Sequence, residues 1–491
     1  MNLWRQLDRI APPPLTGAAD GTGRRDIAAM LARGGLAAAL AIATLVMFSP
    51  GDHSAVPVTG SHLAGLFLTN LLVISVFIGT LALFRPQLYQ SIRAVALFAL
   101  LFLAVLGAAA AVARSSTPHV EFIPIAVAGV LFSVLFDPRV SVFAMIVLAA
   151  LIGIQPAFQG SDALFITLVG GVAAAFSVRV LRRRDQAYYS ILVTAAAYAL
   201  AELAAGLTLG WAARELWRGI LWGALNSLVS VALALMLLPT FEEFTGVDTY
   251  LKLLEWSDLN RPLMQRLSIE APGTFAHSMR LANLAEAACN AIGANGLLAR
   301  VGAYYHDVGK LKKPEYFVEN QPRGRNPHDK LKPATSAAII RNHVREGAEL
   351  ATENGLPGGV KAFIMEHHGT APITYFLEKA KERDGGPLNP ADFAYPGPIP
   401  QTSETAIVML ADGIEASAHV LHDPTPIKIR DVIDHIVRQR IDQGQLRDAP
   451  LTLKQLETIK EQFVRVLVGM YHHRIDYPAA SGGVTAEFAS V

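Results

Sequence analysis

The sequence predicts an all-helical protein in two parts, a polytopic bundle of membrane helices followed by a helical domain outside the membrane. Three observations predict it. Hydrophobic residues make up 52% of the 491 and charged residues only 17%, and the apolar excess is confined to the first half. That half breaks into runs close to the roughly 20 residues a helix needs to cross a bilayer. The second half repeats apolar positions at helical spacing and shows no strand-like alternation. A chain of this length exceeds one ordinary core, so at least two domains are expected.

Residues 1–33 form the expected N-terminal segment, with Arg5, Arg9, Arg24, Arg25 and Arg33 and the run Pro12 to Pro14. The leader is long for a signal peptide and no clean small-residue cleavage site follows, so the first apolar run reads as an uncleaved membrane helix. Eight spans are expected within 34–239, at about 34–48, 63–84, 94–113, 120–136, 140–158, 163–180, 188–209 and 218–239. With the N-terminus inside, the inner segments hold Arg85, Arg93, Arg139, Arg179 and Arg182 to Arg184 besides the five leading arginines. The outer loops hold only Arg114, Arg214 and Arg218. The positive-inside rule therefore places both termini in the cytoplasm. Asn70, Glu202 and Asn226 are the notable polar residues within the spans. Glu202 reads either as part of a ligand pocket or as a helix contact near the outer end of its span.

From Pro239 the chain turns mixed and charged, and residues 240–261 make a connection too short for a free linker. Bundle motion would then pass directly into the domain at 262–478. That domain reads as successive helices separated by breakers at Gly293, Pro314, Gly347 and Pro357, and by a long loop or lid, RDGGPLNPADFAYPGPIPQ. Residues 479–491 are small and polar and are expected to be disordered.

Net charge is +1, so the chain lacks the overall basic footprint of a protein that binds nucleic acid polymers. Its single cysteine, Cys289, excludes an intrachain disulfide and a cysteine zinc cage. Lysines and arginines between His306 and Arg345, among them Lys312, Lys313, Arg323, Arg325, Lys330 and Lys332, fit either a modest positive rim or a solvated surface.

The chemistry concentrates in seven residues placed at or near the ends of predicted helices: His277, His306, Asp307, His343, His367, His368 and Asp412. Each stands in a short motif, AHS, HDVGK, NHV, EHHGT or LADG. Five imidazoles and two carboxylates without a thiolate suit one or two divalent ions, with iron or manganese favoured and zinc also able to fill such a set. Two ions about 3.5 to 4 Å apart would clamp a phosphodiester for in-line attack. Lys310 follows one helical turn after His306.

The segments APGTFAHSMRLANLAEAA, ARVGAYYHDVGKLKKPEYFVENQ, NPHDKLKP, EHHGT, YPGPIPQ and ETAIVMLADGIEA resemble the cytoplasmic domain of bacterial seven-transmembrane receptors with an intracellular HD hydrolase domain. The resemblance covers residues 60 to 478 or so. It implies an all-helical HD-superfamily phosphohydrolase, multi-pass in the bacterial inner membrane, that hydrolyses cyclic di-AMP to pApA with two divalent transition metal ions, manganese or iron. By the same resemblance His277, His306 and Asp412 bind one ion, Asp307 bridges, and His343, His367 and His368 bind the second. A water at the two ions is the implied nucleophile, and Lys310 would neutralise a phosphate oxygen. A homodimer through the helix after Pro239 is expected by analogy. Two departures stand out. The family's large extracellular domain after the first helix is replaced here by a short connection, Ser49 to His62, and basic positions common in the Pro-rich loop are filled by Ala394, Ile399 and Ser403. Alternative functions for the same residues are hydrolysis of another nucleotide or dinucleotide, and a nucleotide-binding receptor acting through a partner.

Overall fold

The computed structural model describes residues 23–48, 59–115, 119–159, 162–178, 185–321, 326–384, 388–422 and 424–471. The leading segment up to residue 22, the connection at 49–58, the Arg182 to Arg184 cluster and the tail at 479–491 lie outside the described residues. The chain divides into two compact units after Arg261, with Gly355–Gly359 grouped with the first. Among the described residues there is no strand, only an isolated bridge between Pro372 and Ala394.

The first unit holds eight apolar helices: α1 Gly23–Met47, α2 Gly60–Phe84, α3 Ile92–Ala113, α4 Ile125–Leu135, α5 Pro138–Gly153, α6 Ala163–Ser177, α7 Asp185–Leu209 and α8 Ala213–Thr245. Five of these, α1, α2, α3, α7 and α8, are long and apolar enough to cross a membrane. The other three have 11, 16 and 15 residues and fall short of the expected full spans. Their ends explain this. Pro124 stands at the start of α4, the Asp137 carboxylate accepts from the backbone of Arg139 to start α5 with Pro138 in its first turn, and Pro156 opens a single 3-10 turn after it. Helices α4 and α5 turn core faces into the unit, where Leu131, Phe132, Met145 and Leu148 have no exposed surface, while α6 leaves Leu164, Phe165 and Phe176 exposed. Phe98 ties α3 to this core, its ring centroid 4.5 Å from Phe132 and 5.2 Å from Phe77.

The expected helix end at Pro239 is corrected by the structure. Pro239 lies inside α8, which continues to Thr245 and stops at Gly246, where φ is +71°. A proline removes one backbone donor and bends a helix, while the left-handed turn at Gly246 ends it. A short helix, α9 Tyr250–Trp256, follows.

The second unit is built from α10 Pro262–Glu270, α11 Pro272–Ile292, α12 Gly296–Tyr305, α13 Pro333–Glu353, α14 Gly358–Glu366 (from Val360), α15 Thr374–Asp384, α16 Ser403–His419, α17 Pro426–Asp442 and α18 Leu453–Tyr471. Helix α11 packs on α12, α16 and α18 around Leu281, Leu284, Ile407, Leu410, Ile459 and Phe463, all essentially buried. The Pro-rich stretch is tied down rather than free: Tyr395 donates its backbone N–H to Ala371, Ile373 to Phe393, and Gln401 to the Glu366 carboxylate.

Candidate metal centre

The local fold brings the HDVGK segment against α13. After α12 ends, residues Val308–Lys312 wind into a 3-10 turn, and Gly309 lies so close to the backbone of His343 and Gly347 that a Cβ would collide with both. Gly302 likewise leaves room for the Phe363 ring of α14. These two contacts draw the elements carrying His306 and Asp307, His343, and His367 and His368 to one point.

All seven residues predicted as ligands meet there. His277, His343 and Asp412 sit within α11, α13 and α16 rather than at helix ends, because packed helices offer one inward face along their whole length. His306 follows α12 and His367 and His368 follow α14. Two sets have ligand atoms within 4.8 Å of one another: Asp307 with His343, His367 and His368, and His277 with His306 and Asp307. Asp307 belongs to both. Asp412 joins neither set but reaches both, 3.1 Å from His277 Nε2 and 3.5 Å from His368 Nδ1.

The histidine orientations show what the cluster can hold. His306, His343 and His367 each point Nδ1 at a backbone carbonyl, those of Ala303 at 2.7 Å, Ile340 at 2.6 Å and Phe363 at 2.9 Å. A carbonyl only accepts, so Nδ1 donates and the neutral ring carries its lone pair on Nε2. Those lone pairs face acceptors: His343 Nε2 lies 3.3 Å from Asp307 Oδ1 and 3.3 Å from His367 Nε2. His306 Nε2 and Asp307 Oδ1 are buried without a hydrogen-bond partner. Lone pairs converging in a buried space fit a cation that all of them can share.

The electrostatics agree. Burial would raise the Asp307 carboxyl, but His306 and Lys310 hold it well below the usual carboxylate range. Burial pushes His343 down to about 3, keeping it neutral. His277 behaves differently: burial favours its neutral form, yet hydrogen bonds to Asp412 and Glu415 lift it to about 10. Burial would likewise raise Asp412, and its hydrogen bond with His277 and the nearby His368 hold it low instead.

Lys310 is not on an α-helical turn with His306, as its spacing had implied. The 3-10 turn sets it beside Asp307 instead, with Nζ 2.7 Å from Asp307 Oδ2 and 2.7 Å from Glu319 Oε1.

Four further residues belong to the site and escaped sequence reasoning. Glu415 accepts from His277 Nδ1 at 2.5 Å and pairs with Arg280. Glu319 shares Lys310 and accepts from Thr274. The ring of Tyr395 lies flat on His368, centroids 4.1 Å apart. Spacing could have found Glu415 and Arg280, each three residues after a ligand on the same helix face. Nothing local marks Glu319 or Tyr395, which reach the site through loops.

The helical unit and its histidine and aspartate cluster define the class: residues 274–417 match the HD domain family, whose members bind divalent metal. Residues 61–249 match the family described as 7TM receptor with intracellular HD hydrolase. Together the two matches describe a multi-pass membrane part followed by an HD domain.

Among its relatives is "Cyclic-di-AMP phosphodiesterase PgpH" of Bacillus subtilis (strain 168), 34% identical over 427 residues, which cover 84% of this chain and 60% of the relative. The protein of the same name from Listeria monocytogenes serotype 1/2a is 44% identical over 241 residues, 49% of this chain and 33% of that one. This chain therefore spans 60% or less of the length of these relatives. A crystal structure of the L. monocytogenes PgpH HD domain in complex with cyclic di-AMP is 44% identical and covers 44% of this chain and all of its own, with a TM-score of 0.42.

Proposed function

We propose that this chain is a membrane-bound, metal-dependent phosphodiesterase that hydrolyses cyclic di-AMP to pApA on the cytoplasmic side of a bacterial inner membrane. The observation that carries the reading is the convergence of five histidines and two aspartates in a buried space, with Nε2 of His306, His343 and His367 turned toward the Asp307 carboxylate. The substrate is inferred from the relatives named cyclic-di-AMP phosphodiesterase. The cytoplasmic placement rests on arginine bias: Arg85, Arg93 and Arg139 flank one end of the spans and Arg114, Arg214 and Arg218 the other.

His277, His306 and Asp412 would hold one divalent ion, His343, His367 and His368 a second, with Asp307 between them. Nitrogen and oxygen donors without sulfur suit manganese or iron. Such ions, when bound, polarise a phosphodiester and make water a competent nucleophile at neutral pH.

The chain's own residues prepare this centre. The three backbone carbonyls that take Nδ1–H fix the tautomer and aim of His306, His343 and His367. Glu415 does the same for His277 through a carboxylate. Lys310, clamped by Asp307 and Glu319, keeps Asp307 ionised and leaves a positive charge beside the place a phosphate would occupy. The Tyr395 ring covers His368 and excludes water from that side.

The test is turnover by the full-length chain in detergent, reloaded with manganese. Conversion of cyclic di-AMP to pApA is expected, and the double substitution His306→Ala with Asp307→Ala should abolish it in a protein that still elutes as a folded species. Equal turnover by parent and double variant would refute the assignment.

A further inference from the structure

Two of the three polar residues inside the spans have structural partners. The Asn70 side-chain oxygen accepts from Gln155 at 3.0 Å, and Asn226 donates to the backbone carbonyls of Glu121 and Ile123. Glu202 does not. Its side chain on α7 has no exposed surface, and both carboxylate oxygens lack a hydrogen-bond partner.

Glu202 is also not alone. Thr194, Tyr198 and Glu202 recur every fourth residue on one face of α7, are buried to 1% exposure or less, and all their side-chain oxygens are without a partner. Opposite them the neighbouring helices carry glycine. A Cβ on Gly170 of α6 would strike the Tyr198 ring and hydroxyl, and one on Gly223 of α8 would strike the Tyr198 Cβ. A Cβ on Gly219 would strike Glu202 Oε2 and stand 3.1 Å from Glu121 Oε1, so the two carboxylates converge on one glycine. Glu121, in the 3-10 turn Val120–Phe122 before α4, is itself buried, with His119 Nδ1 at 3.6 Å from its other oxygen. Asp162, before α6, and Arg218 of α8 are the remaining charges that act on it.

We propose that Glu202, Glu121 and the Tyr198 hydroxyl form a binding site for a hard divalent cation, calcium or magnesium, at the end of the bundle away from Gly246. The donors are all oxygen, the class such cations take. Two carboxylates that share one buried space match a double positive charge, and among the described residues no lysine or arginine is paired with Glu202 to do so. The hydroxyl of Tyr198 supplies a neutral third donor from one turn below. The proposal concerns a site separate from the metal centre of the second unit and holds whatever that centre hydrolyses.

The experiment is equilibrium binding of radioactive calcium to the full-length chain in detergent, with the histidine cluster first loaded with manganese and the free manganese removed, and with magnesium as competitor. The parent should bind one calcium that magnesium displaces. Glu202→Gln should weaken that binding on the order of tenfold or more, since ligand charge sets the affinity of such sites. Tyr198→Phe, which keeps the ring packing, should weaken it several-fold and covers the case in which Glu202→Gln fails to fold. An Asp307→Ala chain should retain the calcium, separating this site from the catalytic one. Equal binding by the parent and Tyr198→Phe together with Glu202→Gln, or no calcium bound by the parent, would overturn the proposal.

Discussion

Asn226 and Asp307 are both buried polar residues, and the difference between their settings separates the two units. Asn226 donates to two backbone carbonyls and leaves no demand unmet. Asp307 is ringed by His306, His343, His367 and Lys310, and one of its oxygens still lacks a hydrogen bond. In the bundle, most buried polar groups are closed locally, as Ser133, Ser141 and Thr167 are closed by backbone carbonyls. In the second unit, polar side chains are arranged for one another and for something they jointly hold. A closed polar group contributes to packing, while an open cluster is built for a ligand. Glu202 is instructive because it lies in the first setting and has the second character.

The comparison is broken most severely at Asp307. Asp307→Ala should lower turnover about 10³-fold or more, because it removes the one group common to both ligand sets. Retained secondary structure by circular dichroism should accompany the loss. A smaller effect is expected one step outward. Glu415→Gln should weaken metal binding about 10- to 100-fold by loosening His277, and activity should recover when metal is raised. Failure of added metal to restore it would mean Glu415 does more than position.

Acidity sharpens the same contrast. A metal must displace the proton that His277 holds up to about 10 in the metal-free chain, so apparent metal affinity should rise with pH from neutrality toward that value. Below neutrality the proton wins and affinity falls further. In Glu415→Gln the pH dependence should shift to lower pH, because part of what raises His277 is gone. Metal titrations at several pH values read both.

Two packing changes complete the series. Gly309→Ala forces a methyl group into the backbone of α13 and should cost about 1 to 3 kcal/mol, read as a lower melting temperature of the second unit. Asn70→Ala in the bundle breaks its contact with Gln155 and should cost only about 0.6 kcal/mol, the usual scale for a hydrogen bond between membrane helices. A larger loss at Asn70 than at Gly309 would reverse the comparison.

Much of this was legible in the residues themselves. The seven candidate ligands, five histidines and two aspartates, each stand in a short motif, so their chemistry is visible one motif at a time. The long helices were equally visible, since α2, α3, α7 and α8 need only length and apolarity. What stayed hidden depends on three-dimensional context. The short helices α4 and α5 are set by a cap and prolines inside apolar runs, which hydropathy averages away. The continuation of α8 past Pro239 depends on where the left-handed residue falls, at Gly246. Glu319 and Tyr395 act across loops whose path no periodicity encodes, and Lys310 stands beside Asp307 because a 3-10 turn takes the place of the expected α-helical one.

The central claim is that the histidine and aspartate cluster is a metal-dependent phosphodiesterase centre for cyclic di-AMP. Its most direct test is to strip the full-length chain of metal, titrate manganese back, and follow cyclic di-AMP beside cyclic di-GMP, pApA and mononucleotides. The account predicts no turnover without metal and selective formation of pApA as metal binds. Equal turnover by the metal-free chain, or metal binding at the cluster with no cyclic di-AMP consumed, would contradict it.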